Sequence, residues 1–217
     1  VISILYEDDD VVAANKPEGL ASVPGHDAKA DSLLRQLSAA RPNRLFIVHR
    51  LDKAASGVIL LAKNRTAHRL LNTQFSERAV GKRYLALVYG LISEDSGIID
   101  KPIRQFGSGR MGIDQRTGKP SMTKYAVTQR YQNSTLLAVE PVTGRRHQIR
   151  VHLYSVGHPI VGDERYGDLA QQRTFPRLML HAQEISFRLP SGVRMSVQAP
   201  VPDSFQTGLD RASRFLA

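Results

Sequence analysis

The stretch His49-Arg50-Leu51-Asp52-Lys53-Ala54-Ala55-Ser56-Gly57-Val58-Ile59, which continues apolar to Ala62, sets one carboxylate among basic and small residues just before a strand-like run. A strand over Val58 to Ala62 fixes the backbone next to Asp52, which suits a nucleophile. Arg50 and Lys53 draw in something anionic, and Ser56 and Gly57 allow close approach by a bulky ligand. The same residues also fit a capped turn, because Asp and Ser commonly precede apolar segments. Other segments have to decide between the two.

Upstream, Ile2 to Tyr6 and Val11 to Asn15 read as strands around the acidic turn Glu7 to Asp10, and Lys16-Pro17-Glu18-Gly19 breaks the second. Asp31 or Ser32 caps a short helix with Leu33, Leu34 and Leu37 as its apolar face. Downstream, Asn64 caps a helix carrying Ala67, Leu70, Leu71 and Phe75 at helical spacing and ending before Gly81. Lys82 to Tyr89 alternates as a strand, and strands follow at Lys124 to Gln129, Thr135 to Val139, around Ile185 to Leu189, and Arg194 to Gln198. About four helices against eight or more short strands, mostly successive hairpins, predict an α+β fold rather than a doubly wound parallel sheet. No repeat, low-complexity tract or linker interrupts the chain, so a single domain over 1–217 on a largely antiparallel mixed sheet is expected.

With 217 residues, 41% hydrophobic, the chain can bury a substantial core. No apolar stretch approaches the roughly 18 to 20 residues that span a bilayer. The chain opens on Val rather than Met and runs straight into a strand pattern, without a signal-peptide layout. Cysteine is absent, which excludes disulfides and thiolate chemistry and fits a cytoplasmic protein. Thirty Lys and Arg against 20 Asp and Glu give a net charge of +10, a surplus that favours a polyanion and above all nucleic acid. Part of it is local: Lys101, Arg104, Arg110, Arg116, Lys119 and Lys124 lie in a glycine-rich segment whose one acid is Asp114. Residues 101–124 therefore read as a basic loop or hairpin insertion able to lie along a phosphate backbone, or simply as a solvated loop. Aromatics make up only 6% of residues, too few for a sheet that stacks successive bases. RNA would be held by shape and phosphates, with one base extruded.

The second chemical segment is Thr143-Gly144-Arg145-Arg146-His147-Gln148-Ile149-Arg150-Val151-His152-Leu153. A helix from near Thr143 to Gly157 buries Ile149, Leu153 and Val156 and puts Arg146, His147, Arg150 and Tyr154 on the neighbouring face. An arginine held there can offer its guanidinium to a carboxylate such as Asp52, or grip phosphate. Metal binding is disfavoured: His147 and His152 are about 140 degrees apart around a helix, and no HExxH occurs, although His158 and Asp163 lie nearby. Neither GxGxxG nor a P-loop is present, so no nucleotide cofactor is indicated, and no GxSxG elbow frames Ser22 or Ser56.

Taken together, the motifs resemble the RluA-type pseudouridine synthases, which isomerise uridine in structured RNA. The resemblance rests on His49-Arg50-Leu51-Asp52 with Ser56-Gly57, on Lys82-Arg83-Tyr84 opening a strand, and on Gly144-Arg145 with His147-Gln148-Ile149-Arg150-Val151-His152. Asn15-Lys16-Pro17 with Gly19, Gly118-Lys119-Pro120 with Thr123 and Tyr125, Gly157-His158-Pro159-Ile160 with Gly162-Asp163, and Leu178-Met179-Leu180-His181-Ala182 support it. These run in family order over nearly the whole chain. One departure is Ala55, where the family usually carries Thr.

Position by position, the resemblance implies that Asp52 is the essential carboxylate. Arg50 fills the space left by a flipped uridine, Tyr84 lies against the uracil and helps remove its C5 proton, Arg150 pairs with Asp52, and Leu180 walls the uracil pocket. His49, Lys82, Arg145 and His147 are further expected substrate contacts. One carboxylate suffices for this chemistry, because uracil N1 leaves with its charge spread into the ring carbonyls and no water attacks, unlike glycoside hydrolysis. No cofactor is needed, since nothing is oxidised or transferred to a second substrate. The implied partner is a structured rRNA or tRNA stem-loop, bound by a monomer resembling the short family members that lack an S4 domain. The rival readings are a non-catalytic basic RNA-binding module and a hydrolase of a phosphorylated small molecule.

Overall fold

The apolar run that follows Asp52 becomes a strand, Ser56–Ala62, all seven of whose residues are buried. A computed structural model describes residues 2–25, 31–42 and 44–214. In chain order the elements are β1 (Ser3–Glu7), β2 (Val11–Lys16), α1 (Leu33–Ala39), β3 (Phe46–Ile47), β4 (Ser56–Ala62), α2 (Arg65–Ser76), β5 (Gly81–Tyr89) and β6 (Ser96–Asp100). They continue with β7 (Ile103–Gln105), β8 (Met111–Ile113), β9 (Met122–Arg130), β10 (Ser134–Pro141), α3 (Gln148–Ser155), α4 (Leu169–Gln172), β11 (Leu180–Arg188), β12 (Arg194–Gln198) and α5 (Asp203–Arg214). Two compact units result, one of Val1–Lys82 with Ala182–Val201, the other of Arg83–His181 with Pro202–Ala217.

In the first unit β2 lies antiparallel between β1 and β4, paired from Val11↔Ala62 to Lys16↔Gly57. The short β3 also pairs with the end of β4, and β11 pairs with β12. Helix α2 begins where the Asn64 side chain accepts from the Ala67 amide at 2.8 Å, as the sequence predicts. It buries Ala67 and Leu71 in a cluster with Val58, Leu60, Ile185 and Phe187. It ends at Ser76, and Arg78 just beyond the cap, at φ 60°, lets the Ala79 amide reach back to the Gln74 carbonyl.

In the second unit β10 pairs antiparallel with both β5 and β9, and β6 pairs with β9. Strands β7 and β8 form a separate hairpin. Ile103 and Met111 of the hairpin pack with Val151 and Tyr166 in a small apolar cluster. Half of the segment's cations are held by contacts within this unit. Arg104 pairs with Asp114 at 2.9 Å, Arg110 sits over the Tyr154 and Tyr166 rings, and Lys101 donates to the Ser155 carbonyl. Arg116, Lys119 and Lys124 are exposed and make no ion pair among the described residues.

The structure corrects the predicted helix at Thr143. Helix α3 starts at Gln148, after His147 at φ 54°. The Gln148 side chain organises a turn instead, accepting from the Thr143 hydroxyl at 2.6 Å and the Arg145 amide at 3.0 Å while donating to the Met122 carbonyl at 2.8 Å. Because α3 ends at Ser155, Val156 falls outside the buried stripe and is 38% exposed.

Candidate active site

Asp52 is half-buried in the loop between β3 and β4, and its backbone is tied down on both flanks. The Ser22 hydroxyl donates to the Leu51 carbonyl at 2.9 Å and accepts from the Leu51 amide at 3.0 Å. On the other side the Lys53 carbonyl accepts from the Gly19 amide at 2.8 Å and from the Lys16 ammonium at 3.3 Å. Lys16 is fully buried and also donates to the carbonyls of Pro17 and Leu20, both at 2.8 Å. A buried ammonium is tolerable only with such partners. The sequence shows Lys16 only within Asn15-Lys16-Pro17 and gives neither it nor Ser22 a task; a lysine at the end of an apolar strand and before Pro is the available signal.

Ser56 and Gly57 do not open space for a ligand. Ser56 is buried, and at Gly57, whose φ is 118°, the place of a side chain is taken by the Ala182 backbone. The expected room is used for close backbone packing within this unit.

His49 accepts from the Leu60 amide through Nε2 at 2.9 Å and stacks on Phe75 with ring centroids 5.0 Å apart. Burial first, and then the charge of Lys82, lower its pKa to about 3, so the ring is neutral with its proton on Nδ1. Burial also lowers Lys82 to about 8. Arg50 and Lys53 are exposed.

In the second unit Tyr84 is half-buried on β5, opposite Val139 of β10. Arg150 is buried on α3 and grips Asp163 with two bonds, Nε to Oδ2 and Nη2 to Oδ1, each 2.7 Å. Asp163 Oδ1 also accepts from the amides of Arg165 and Tyr166. The Arg150 guanidinium lies 5.2 Å from the Tyr166 ring centre, and the Tyr166 hydroxyl pairs with His147 Nδ1 at 3.0 Å. Sequence reading met Asp163 only as part of a motif and as a neighbour of the histidines. The latter have their own partners: His152 bonds Thr123 and the Lys101 carbonyl, and His158 the Tyr89 carbonyl. Arg145 is exposed, with its guanidinium 3.4 Å from the Pro120 carbonyl, and Leu180 is buried at the start of β11. Among the described residues no helix is long and apolar enough to cross a membrane.

Compared with known proteins, residues 10–155 match the family model described as RNA pseudouridylate synthase, a span that takes in Asp52, Tyr84 and Arg150. Fold and match together define a pseudouridine synthase, an isomerase. The dual-specificity RNA pseudouridine synthase RluA of Escherichia coli K12 is 40% identical over 202 residues, covering 91% of this chain and 92% of that protein. The ribosomal large subunit pseudouridine synthase C of Haemophilus ducreyi is 40% identical over 215 residues, covering 94% of this chain and 67% of that one. The solved structure of human RNA pseudouridylate synthase domain containing 1 superposes with a TM-score of 0.80 at 31% identity, covering 99% of this chain and 95% of that one. The chain belongs to the RluA-type pseudouridine synthases.

Proposed function

We propose that this protein isomerises uridine to pseudouridine in structured ribosomal RNA, transfer RNA or both, with Asp52, Tyr84 and Arg150 carrying the chemistry. The observation that carries this reading is the double fixing of the Asp52 backbone by Ser22 and by Lys16 with Gly19. A module that only grips RNA has no use for a carboxylate on an immobilised loop, whereas bond cleavage at the ribose requires one aimed in advance.

In this scheme Arg50 enters the space left by the extruded uridine and, with phosphate contacts, offsets the few kcal/mol of lost stacking. Asp52, supported by Arg150, acts at C1′ as nucleophile or electrostatic stabiliser, or at C2′ as base. The C1′–N1 bond breaks, the uracil turns within its pocket, and the C1′–C5 bond forms. Any bond or proton that Asp52 takes from the sugar is given back as C1′–C5 forms, and the C5 proton then leaves with the help of Tyr84 while N1 takes up a proton, so atoms balance without a cofactor. Leu180 walls the base, while His49, Lys82, Arg145, His147 and the exposed cations of residues 101–124 hold the RNA or the groups that contact it. The two units serve as one catalytic domain, working as a cytoplasmic monomer.

Tritium release from RNA transcribed with C5-tritiated uridine tests this directly. Asp52→Asn is expected to release none while binding RNA as the parent does. Turnover by that variant, or a parent protein that binds RNA without release, removes the assignment. Pseudouridine mapping of total RNA with and without the protein identifies the modified position.

A further inference from the structure

Away from the residues assigned to the chemistry, the first unit has an open cleft of about 660 Å³ lined by β3, the residues before it and one face of α2. Arg65, His68, Arg69 and Asn72 share that face, at helical spacing, opposite the buried Ala67 and Leu71. Arg44 and Phe46 form the facing wall, with the Arg44 guanidinium 5.6 Å from the Phe46 ring centre. Phe46 packs against the apolar core of this unit and stacks at 5.2 Å on His68, whose Nε2 donates to the Ile47 carbonyl at 3.2 Å. The ring is thus occupied in positioning its basic neighbours.

No carboxylate lines the cleft among the described residues, and Arg44, Arg65 and Arg69 make no ion pair there. Three guanidiniums facing one concavity without a counter-charge form a site for an anion with several acceptor oxygens. The chain limits its distance from the catalytic loop: Asp52 lies six positions after Phe46, a span of no more than about 22 Å.

We propose that this cleft is a phosphate-binding subsite for the RNA backbone flanking the modified uridine, an inference that rests on the isomerase reading for the identity of the anion. Its contacts go to phosphates rather than bases, so it adds affinity and register without sequence preference.

Salt-dependent binding of a fluorescein-labelled stem-loop RNA, together with tritium-release kinetics, tests the proposal. Arg65→Gln with Arg69→Gln is expected to weaken binding about tenfold and to lower the slope of log affinity against log salt by roughly 1.5 to 2. KM for RNA rises, kcat stays within about twofold, and the Arg65→Lys/Arg69→Lys pair keeps the parental slope. A Gln pair with the parental slope, a Lys pair that falls as far as the Gln pair, or a loss confined to kcat would each overturn the subsite. Parental slope in the Gln pair is also the result expected if the cleft serves a protein partner. A parent chain without tritium release overturns the isomerase reading alone, since the salt slopes come from binding.

Discussion

Arg150 and Asp163, thirteen residues apart, meet fork to fork in the interior, with both hydrogen bonds at 2.7 Å. Asp163 is fully buried, and its Oδ1 also receives two backbone amides, so the carboxylate is a fixed anchor rather than a mobile counter-ion. The guanidinium of Arg150 is thereby held in one plane against Tyr166. An arginine assigned to align a catalytic carboxylate needs such bracing, because its long side chain otherwise samples many rotamers.

Removing the anchor should therefore cost stability as well as turnover. Asp163→Ala is expected to destabilise the fold by about 3–5 kcal/mol, the range for stripping one member from a buried ion pair. Asp163→Asn should cost less, since its amide oxygen can still accept from the Arg165 and Tyr166 amides. Urea unfolding midpoints measure both, and a change below about 1 kcal/mol in the Ala variant would contradict the buried pair.

His49 makes a prediction about acid. Its folded pKa of about 3 lies below the ordinary 6.5, so between those values the unfolded chain binds a proton that the folded one refuses. Stability is thus fully present above 6.5 and falls by up to about 1.4 kcal/mol per pH unit beneath it. Glu7, held near 2 chiefly by Arg41, acts lower on the scale, so the window from pH 5 to 6.5 isolates the histidines. His49→Gln, whose carbonyl can accept from Leu60, should show a shallower slope there. His152, also depressed by burial, contributes to the slope that remains. Equal slopes in parent and variant would rule out a buried neutral imidazole.

Elements with local signals were legible in the sequence, and those with distant causes were not. The run ending at Ala62 and the Asn64 cap announce β4 and α2 within a few residues. The start of α3 depends on Gln148 bonding Met122, 26 residues away, which no window around Thr143 contains. Helix α5 escaped because its buried stripe of Phe205, Gly208 and Ala212 is mostly small residues, and Gly208 reads as a helix breaker until it is seen packed under Met179. At the site, the types of Asp52, Tyr84 and Arg150 were visible in their motifs. The Lys16 anchor was not, because a lysine ordinarily reads as solvent-exposed.

Gly57 tests whether close packing rather than ligand access governs the residues after Asp52. Its positive φ and the Ala182 backbone against it leave no place for a methyl group. Gly57→Ala should lower stability by at least about 2 kcal/mol. Gly107→Ala, at a position with open space and no positive φ, should stay within about 0.5 kcal/mol. Thermal melts compare the pair. A Gly57 variant as stable as the Gly107 one would show that β4 can shift away from Ala182.

Lys82 links pH to RNA binding with opposite signs for affinity and stability. Burial lowers its pKa from 10.5 to about 8, so the folded protein sheds this proton well before the unfolded chain does. The unfolded state therefore binds more protons between about 8 and 10.5, and stability rises with pH across that interval. RNA affinity should move the other way, because each deprotonated Lys82 withdraws a cation from the proposed RNA contact. Anisotropy titrations are expected to show weaker binding as pH climbs through 8, with the midpoint displaced upward in the complex, where phosphate favours the ammonium. Lys82→Arg, charged throughout, should flatten the affinity profile and remove this residue's share of the alkaline gain in stability. If affinity falls above pH 8 equally in parent and variant, the titrating group lies elsewhere and Lys82 does not contact the RNA.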